Sequence, residues 1–168
     1  NDVRRFGFFK LYNTTRLDKI IFLKKLGLEP FSKTFNIKYF EKFIQNRKKS
    51  IKNLLMDQTF VSGLGNIYVC EALFRSGIAP DRLAKDLKPG EIERLYREIR
   101  LVLEDAIAAG GSSLKDYRQS DGELGYFQHN FRVYGREGET CIADGCDATI
   151  ERIVQAGRST FFCPSCQK

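Results

Sequence analysis

The sequence lacks several features that define particular classes of protein. No apolar run approaches the length of a membrane-spanning helix, so we expect a soluble chain with no membrane association. There is no secretory signal, internal repeat or low-complexity tract. Histidine occurs once, at His129, which excludes a metal site built from several histidines, and we expect a structural role for it. The chain also lacks an initiator methionine and begins inside a strand-like pattern, which predicts a fragment of a longer protein.

Positive charge is concentrated in the first third of the chain. The whole sequence has 28 Lys and Arg against 21 Asp and Glu, a formal net charge of +7. Residues 1–53 contain 14 basic and 4 acidic residues, whereas residues 54–168 contain 14 and 17. The run Arg47-Lys48-Lys49, followed by Lys52, is typical of a surface that binds a polyanion such as nucleic acid. A solvated helix end has the same composition, so charge alone leaves both interpretations open.

Four of the five cysteines form two closely spaced pairs. Four residues separate Cys141 from Cys146, and two separate Cys163 from Cys166. Thiolates at such spacings can bind one zinc ion in a closed tetrahedral site, which would be structural because it leaves no position for water. Two disulfides are the alternative, although the odd number of cysteines and the absence of a secretory signal favour zinc. We expect Cys70 to be a small buried residue rather than a ligand.

The segment between the two cysteine pairs predicts a β-hairpin. Side chains alternate between two faces from Thr149 to Val154, and Ala156-Gly157 supplies a turn. Arg158 would then lie at the tip of the hairpin. The expected role of the zinc ion is to hold this hairpin together.

Apolar periodicity and capping residues predict that the middle of the chain is mainly helical. The predicted helices cover residues 15–27 and 37–46, a short segment through Lys52, a segment from Asn66 onward, and residues 89–109. Thr15 would cap the first helix, and its apolar stripe would consist of Leu17, Ile20, Ile21, Leu23 and Leu26. The apolar stripe of the last helix would consist of Ile92, Leu95, Ile99, Leu103 and Ile107. The polar segment 112–126 predicts a mobile loop, and residues 131–135 predict a strand.

A turn-rich interval that contains Gly63 and Gly65 separates the two central predicted helices. Glycines allow close approach of another molecule, and the helix start at Asn66 offers free amides and a positive dipole end. This arrangement suits a phosphate, and Lys52 would supply a second contact. A simple connection between two helices is the alternative.

Four motifs occur in one order along the chain. They are NDVRRFG at residues 1–7, IKNLLMDQTFVSGLGNIYVCEALF at 51–74, FQHNFRVYGREG at 127–138 and GRSTFFCPSCQK at 157–168. Together they resemble the formamidopyrimidine-DNA glycosylase family, bacterial enzymes that excise oxidised purines and cleave the resulting abasic site. The resemblance covers essentially the whole chain. It implies a mainly α fold: a helix-two-turns-helix bundle with a C-terminal zinc-bound β-hairpin and a short N-terminal remnant of a β-sandwich domain.

The resemblance also implies a division into domains. Residues 1–14 would end the β-sandwich domain. Residues 15–126 would form the helix-two-turns-helix domain, with a loop over 112–126 that closes on the extruded base. Residues 127–168 would form the zinc-finger hairpin. The sequence departs from the family in its first cysteine pair, where four residues stand between the cysteines instead of the usual two.

By resemblance, seven residues would contact DNA. Arg4 would fill the gap left by the extruded base, and Phe6 would wedge the base stack, which offsets part of the unstacking energy. Arg158 would grip phosphates beside the lesion and donate a proton in the later elimination step. The remaining matches are contacts to the DNA backbone, namely Arg47, Lys52, Asn66 and Tyr134.

The chemistry of the family depends on a residue that this sequence does not contain. In the family an N-terminal proline attacks C1′ of the damaged nucleotide, and β,δ-elimination then cleaves the strand. We therefore expect the parent protein to be a bifunctional DNA glycosylase and abasic-site lyase of base-excision repair, and this chain alone to be inactive.

The expected partner is damaged double-stranded DNA, and the expected cofactor is one structural zinc ion. We expect a monomer in the bacterial cytoplasm, associated with the nucleoid. The alternative function is a non-catalytic zinc-containing nucleic-acid-binding module, which the motif VRRFG counts against. A zinc ribbon that only binds another protein would leave the basic first third of the chain unexplained.

Overall fold

The regular structure is mainly helical, in a computed structural model that describes residues 9–112 and 125–168. The α-helices in these residues are α1 (Ile21–Lys24), α2 (Ile37–Ile44), α3 (Ile51–Leu55), α4 (Asn66–Ser76) and α5 (Pro89–Ala108). Short 3-10 helices span Thr14–Lys19, Ala84–Asp86 and Phe127–Asn130. Strands β1 (Glu151–Gln155) and β2 (Arg158–Phe162) pair antiparallel. The expected helical core and hairpin are therefore present.

Parts of the prediction fall on residues that are not described. The predicted β-sandwich remnant lies mostly in residues 1–8, and residues 9–13 form no strand. Most of the predicted loop, residues 113–124, also lies outside the described residues. Across residues 9–112 and 125–168, no helix is both long enough and apolar enough to cross a membrane.

Helix α4 is buried on two sides. Val69 and Leu73 belong to the main hydrophobic cluster, which includes much of α5. Cys70 and Phe74 belong to a second cluster. Because an α-helix has 3.6 residues per turn, each of these i, i+4 pairs shares one face of α4. The partners of α4 in the second cluster come from the last third of the chain: Val133, Cys141, Ile150, Phe161 and Cys163.

Helix α5 matches the predicted span of 89–109, but its buried stripe differs near the end. Leu95 and Ile99 are buried as predicted, whereas Ile107 is 68% exposed. The predicted positions after residue 95 are four residues apart, and four residues rotate the helix by about 40° more than a full turn. Val102 and Ala106 therefore take the buried positions in the last turns.

The prediction of a single helix over residues 15–27 is wrong. A 3-10 helix is followed by Ile20 in an extended conformation and by the four-residue α1. The cap is Asn13 rather than Thr15, since Oδ1 of Asn13 accepts a hydrogen bond from the amide of Thr15 at 3.0 Å. Short helices depend on packing of their apolar face. Ile20 is buried, but the rest of the predicted stripe is 42–70% exposed: Leu17, Ile21, Leu23 and Leu26.

Two turns connect α3 to α4, as the helix-two-turns-helix expectation requires. In the first turn, Oδ1 of Asp57 accepts a hydrogen bond from the amide of Thr59 at 3.1 Å. In the second, Oε1 of Gln58 accepts from the amide of Gly63 at 2.8 Å, and Nε2 donates to the carbonyl of Leu64 at 3.1 Å. The φ angle of Gly63 is +80°, a conformation that favours glycine.

The hairpin turn confirms the prediction. Gln155 pairs with Arg158, which leaves Ala156 and Gly157 as a two-residue connection. Their φ angles of 48° and 73° suit the tight turn that matches the twist of paired strands. Arg158 is the first residue after the turn and therefore lies at the tip.

The strand predicted over residues 131–135 is not formed. The backbone amides of Arg132, Val133 and Tyr134 donate hydrogen bonds to the carboxylate of Glu71 on α4, with N–O distances of 2.9–3.0 Å. A strand pairs its amides with a neighbouring strand. Three consecutive amides that converge on one carboxylate cannot do so, and this explains the difference.

A bidentate ion pair fixes the start of α5. Nη1 and Nη2 of Arg82 donate to the two carboxylate oxygens of Glu91 at 2.7 and 2.9 Å. Oε2 of Glu91 also accepts from the amide of Lys88 at 2.8 Å. Nη1 of Arg82 donates to the carbonyl of Lys168 at 2.8 Å as well. The hydrogen bonds from Arg82 lower the pKa of Glu91 from 4.5 to about 2.

Glu91→Gln should lower the free energy of unfolding at pH 7 by roughly 1.5–3 kcal/mol, since it removes charge-assisted hydrogen bonds. The pKa of Glu91 is lower in the folded protein, so the stabilisation is present above pH 4.5 and is lost as the pH falls toward about 2. Urea unfolding between pH 7 and pH 2 should show the difference shrinking below pH 4.5. The control is Glu93→Gln, an exposed site on the same helix, with little expected effect. A difference for Glu91→Gln that is independent of pH would contradict this assignment.

Candidate functional site

The four paired cysteines converge on one point. The Sγ atoms of Cys141 and Cys166 are 3.8 Å apart, those of Cys146 and Cys163 are 3.7 Å apart, and all four lie within 4.8 Å of one another. Zinc–sulfur bonds of about 2.3 Å give a tetrahedron with edges of about 3.8 Å. A disulfide needs about 2.05 Å between sulfurs, and all four thiols are free. The geometry fits one zinc ion and not two disulfides.

The longer first cysteine pair is accommodated by a tight turn. The amide of Cys146 donates to the carbonyl of Ala143 at 3.0 Å, and Gly145 has a φ of +71°. The amide of Ala143 lies 3.5 Å from Sγ of Cys141 and points to it. Amide hydrogen bonds to sulfur orient metal ligands, so the four-residue spacing is compatible with the site.

Gln167 links the metal site to the end of α4. Its side chain is buried, with Oε1 accepting from the amide of Cys163 at 2.9 Å and Nε2 donating to the carbonyl of Ile78 at 2.8 Å. The amide of Lys168 donates to the carbonyl of Gly77 at 3.1 Å. Gln167 and Lys168 therefore attach the metal site to the segment at the end of α4, and Gln167 also holds the backbone of the ligand Cys163.

Lys52 and Arg158, far apart in the sequence, line one cavity of about 460 Å³ between α3 and the hairpin turn. Lys49 and Asp57 line it too and form an ion pair at 3.2 Å. Nζ of Lys52 is buried and has no hydrogen-bond partner within the described parts of the chain. Arg158 is exposed. The cavity thus combines an unpaired ammonium with an accessible guanidinium.

The unpaired ammonium of Lys52 is unfavourable for the fold by itself. Burial lowers the pKa of Lys52, and the charge of Arg158 lowers it further. An anion in the cavity would give Lys52 its missing partner. Burial also raises the pKa of Cys70 to about 11, so this thiol is protonated at neutral pH and is the small buried residue that was predicted.

Asn66 is the first residue of α4 and contacts the hairpin. Its Nδ2 donates to the carbonyl of Ser159, next to Arg158, at 2.8 Å. Its Oδ1 is buried and has no hydrogen-bond partner among residues 9–112 and 125–168. Neither Asn66 nor the two preceding glycines line the cavity of Lys52. The phosphate position predicted at the start of α4 is therefore separate from this cavity.

Arg47 lies beside a second cavity, also of about 460 Å³, which shares Lys49 and Asp57 with the first. The guanidinium carbon is 4.7 Å from the centroid of the Phe43 ring, and Nε donates to the carbonyl of Phe43 at 3.3 Å. Because the two cavities share wall residues, Arg47 and Lys52 line adjoining cavities.

Tyr134 lines a third cavity, of about 410 Å³, that is lined by neither Lys52 nor Arg47. Its ring packs edge-on against Phe161 of β2, with centroids 5.0 Å apart. His129 lines the same cavity and is exposed.

The structure therefore brings only part of the predicted set together. Lys52 and Arg158 share a cavity, Arg47 adjoins it, and Asn66 reaches the hairpin beside Arg158. Arg4 and Phe6 lie outside the described residues. The DNA contacts assigned to all of these residues stay predictions.

Six of the eight residues that line the cavity of Lys52 were not among the predicted site residues: Lys49, Asn53, Met56, Asp57, Gln155 and Ala156. Lys49 belongs to the basic run, which offered a signal. Gln155 pairs directly with Arg158 across the hairpin, so the turn position alone could have identified it. Asn53 had no comparable signal.

Two family models match the chain. The formamidopyrimidine-DNA glycosylase H2TH domain matches residues 26–118, which is more than half of the chain. The zinc finger found in FPG and IleRS matches residues 138–168. The second match contains the whole cysteine cluster, so the cluster is the site of one structural zinc ion with four ligands: Cys141, Cys146, Cys163 and Cys166.

Similar proteins have been found in several bacteria. The formamidopyrimidine-DNA glycosylase of Cereibacter sphaeroides is 55% identical over 100% of this chain and 59% of its own length. The crystal structure of MutM (Fpg) from Thermus thermophilus is 47% identical, with a TM-score of 0.83 over 89% of this chain and 56% of that one. Lactococcus lactis Fpg in complex with abasic-site DNA is 40% identical, with a TM-score of 0.90 over 99% and 60%. The chain spans about three-fifths of the length of the curated relatives it matches.

Removal of the zinc ion by a chelator should unfold the hairpin and leave most of the helical signal. Strands of five residues are not stable alone, and the main hydrophobic cluster contains no hairpin residue. Metal analysis should give about one zinc per chain, and circular dichroism should follow the loss of structure. Cys163→Ser should lose the metal, whereas the control Cys70→Ala should keep it. A preparation without zinc and with two disulfides would contradict the assignment.

Proposed function

The chain belongs to the formamidopyrimidine-DNA glycosylase family, and we propose that it is the part of a base-excision-repair glycosylase that grips damaged double-stranded DNA. The match to a Lactococcus lactis Fpg complex with abasic-site DNA supports this proposal. The chain acts as a monomer in the bacterial cytoplasm, at the nucleoid. The division at residues 14 and 126 separates the functional parts.

The observation that carries the proposal is the unpaired ammonium of Lys52 in the cavity beside Arg158. A buried cation without a counter-ion destabilises the fold. The two cations come from α3 and β2 and converge on a space that would hold a phosphate group. Lys52 and Arg158 bind the same DNA phosphate, because a charge-assisted hydrogen bond offsets the desolvation of Lys52.

The other contacts extend this grip along the DNA backbone. Arg47 adjoins the cavity and binds a neighbouring phosphate, with its guanidinium held over Phe43. Asn66 binds the backbone at the start of α4, where helix amides favour an anion. Tyr134 forms a further contact from its separate cavity. Such contacts fix the position of the protein on DNA and carry little sequence information.

The proposed activity of the whole protein is removal of oxidised purines followed by β,δ-elimination at the abasic site. Arg158 binds the phosphate beside the lesion and acts as proton donor in the elimination step, while Arg4 and Phe6 enter the duplex. The nucleophile is an N-terminal proline that this sequence does not contain, so the chain alone is inactive.

Borohydride should trap no covalent adduct between this chain and abasic-site DNA. A Schiff base needs a positioned amine of suitable pKa, and in this proposal that amine is the missing proline. A full-length family member should form the adduct under the same conditions. A strong adduct that maps to Lys52 or another lysine of this chain would show that the nucleophile lies here.

Lys52→Met should weaken binding to duplex DNA and should not destabilise the fold. Loss of one charge-assisted phosphate contact corresponds to about 1.5–3 kcal/mol, roughly ten- to a hundredfold in Kd. Replacement of a buried, unpaired cation by an apolar side chain of similar length should raise the free energy of unfolding or leave it unchanged. Fluorescence anisotropy with a duplex that contains an abasic-site analogue gives Kd, and urea unfolding gives stability.

The control is Lys88→Met, which removes the same charge from an exposed residue that lines none of the three cavities described. It should change Kd by less than about threefold, because a charge that does not contact DNA acts only through the screened field. If both variants bind DNA as tightly as the unmodified chain, the Lys52 cavity does not hold a phosphate.

A further inference from the structure

Glu71 is a fully buried carboxylate that the proposed function does not use. It lies on α4, with relative exposure of 0%. Oε1 accepts hydrogen bonds from the amides of Val133 at 3.0 Å and Tyr134 at 2.9 Å, and Oε2 accepts from the amide of Arg132 at 2.9 Å. Three consecutive amides thus form a small anion-binding nest that is filled by a side chain of the same protein.

These hydrogen bonds determine the course of the backbone through Tyr134. The amide of Arg136 closes a turn by donating to the carbonyl of Val133 at 3.1 Å, and Gly135 has a φ of +75° inside it. Tyr134 therefore stands at a bend that is tied on one side to Glu71. Without an anion in the nest, the three amides would be buried or half-buried donors without their acceptor.

The ring of Tyr134 is in turn packed between two other rings. It meets Phe131 edge-on with centroids 5.6 Å apart, and Phe161 with centroids 5.0 Å apart. Phe161 belongs to β2, three residues after Arg158. Glu71 and Asn66 are five residues apart on α4, or about 7.5 Å along its axis. Both hold the last third of the chain against α4, Asn66 at Ser159 and Glu71 at Tyr134.

From this geometry we infer that Glu71 is a positioning residue for DNA binding, which acts by placing Tyr134. This inference rests on the proposed function, in which Tyr134 contacts the DNA backbone. The carboxylate does not contact DNA, because it is buried. Its effect on DNA binding is transmitted through the amide of Tyr134 and the turn that follows.

Glu71→Gln tests the inference with little change of shape. An amide has one acceptor oxygen instead of two, and its NH2 group faces amide donors, so at least one of the three hydrogen bonds is lost. Binding to a duplex with an abasic-site analogue should weaken about tenfold. Tyr134→Phe should weaken binding by a similar factor. The double variant should have the same Kd as the single variant that binds DNA more weakly, because both changes remove the same contact of Tyr134 with DNA.

A matched control separates positioning from general loss of stability. Val102→Ala removes two methyl groups from the buried face of α5, and Val102 belongs to the main cluster and not to the second one. It should lower the urea midpoint without changing Kd by more than twofold, when all proteins are measured under conditions where they are folded. An additive double variant, or a Kd for Glu71→Gln within twofold of the unmodified chain, would overturn the inference.

Amide hydrogen exchange supplies a readout that needs no DNA. The amides of Arg132, Val133 and Tyr134 should be protected in the unmodified chain and should exchange at least tenfold faster in Glu71→Gln. If Glu71→Gln does not fold, Glu71→Asp, which withdraws the carboxylate by one methylene, takes its place in both measurements. Unprotected amides in the unmodified chain would overturn the role of Glu71.

The two proposals fail differently. If the unmodified chain does not bind duplex DNA, the proposed function is wrong, and the role of Glu71 in DNA binding is overturned with it. If the unmodified chain binds DNA and Glu71→Gln binds equally well, only the role of Glu71 is overturned.

Discussion

The attachment of the zinc hairpin to α4 is the constraint on which the candidate DNA-binding site depends. A hairpin of two five-residue strands buries too little apolar surface to fold alone. The zinc site cross-links it, while Asn66 and Gln167 tie it to the start of α4 and to the segment after its end. Because α4 also packs in the main cluster, the hairpin tip is held beside α3. The cavity between Lys52 and Arg158 is a consequence of this packing.

The same packing places one residue of the basic segment, Lys52, in a cavity instead of on the exposed surface. Most of the positive charge in the first third of the chain is exposed, where water and salt weaken its effect. Among the described basic residues of this third, Lys52 is the exception, since its ammonium is buried and its pKa is lowered by burial. A residue that works against the stability of its own fold is expected where function requires it. Glu71 shows the opposite arrangement, a buried anion whose hydrogen-bonding capacity is met by three backbone amides.

Local patterns in the sequence were sufficient to predict most of the helices, the hairpin and the metal ligands. Where the structure differs from the prediction, long-range contacts account for the difference. The span of α5, the hairpin turn and the cysteine set each follow from residues close together in the chain. The strand expected over residues 131–135 failed because Glu71, some sixty residues earlier, takes its amides. The helix expected over residues 15–27 failed because most of its apolar stripe is not buried within the described residues. The meeting of Lys52 with Arg158 depends on how α3, α4 and the hairpin pack, which no local pattern encodes.

In the proposed function, Lys52 and Arg158 bind one and the same DNA phosphate. The most direct measurement replaces single phosphates near an abasic-site analogue, one at a time, by neutral methylphosphonates and determines Kd for each duplex. For the unmodified chain, one position should weaken binding about tenfold, as expected for the loss of a charge-assisted contact. A methylphosphonate at that same position should change the Kd of Lys52→Met and of Arg158→Ala much less, because each variant has already lost part of the contact. If the two variants lose sensitivity at different phosphates, or at none, the two cations do not share a phosphate and the account is wrong.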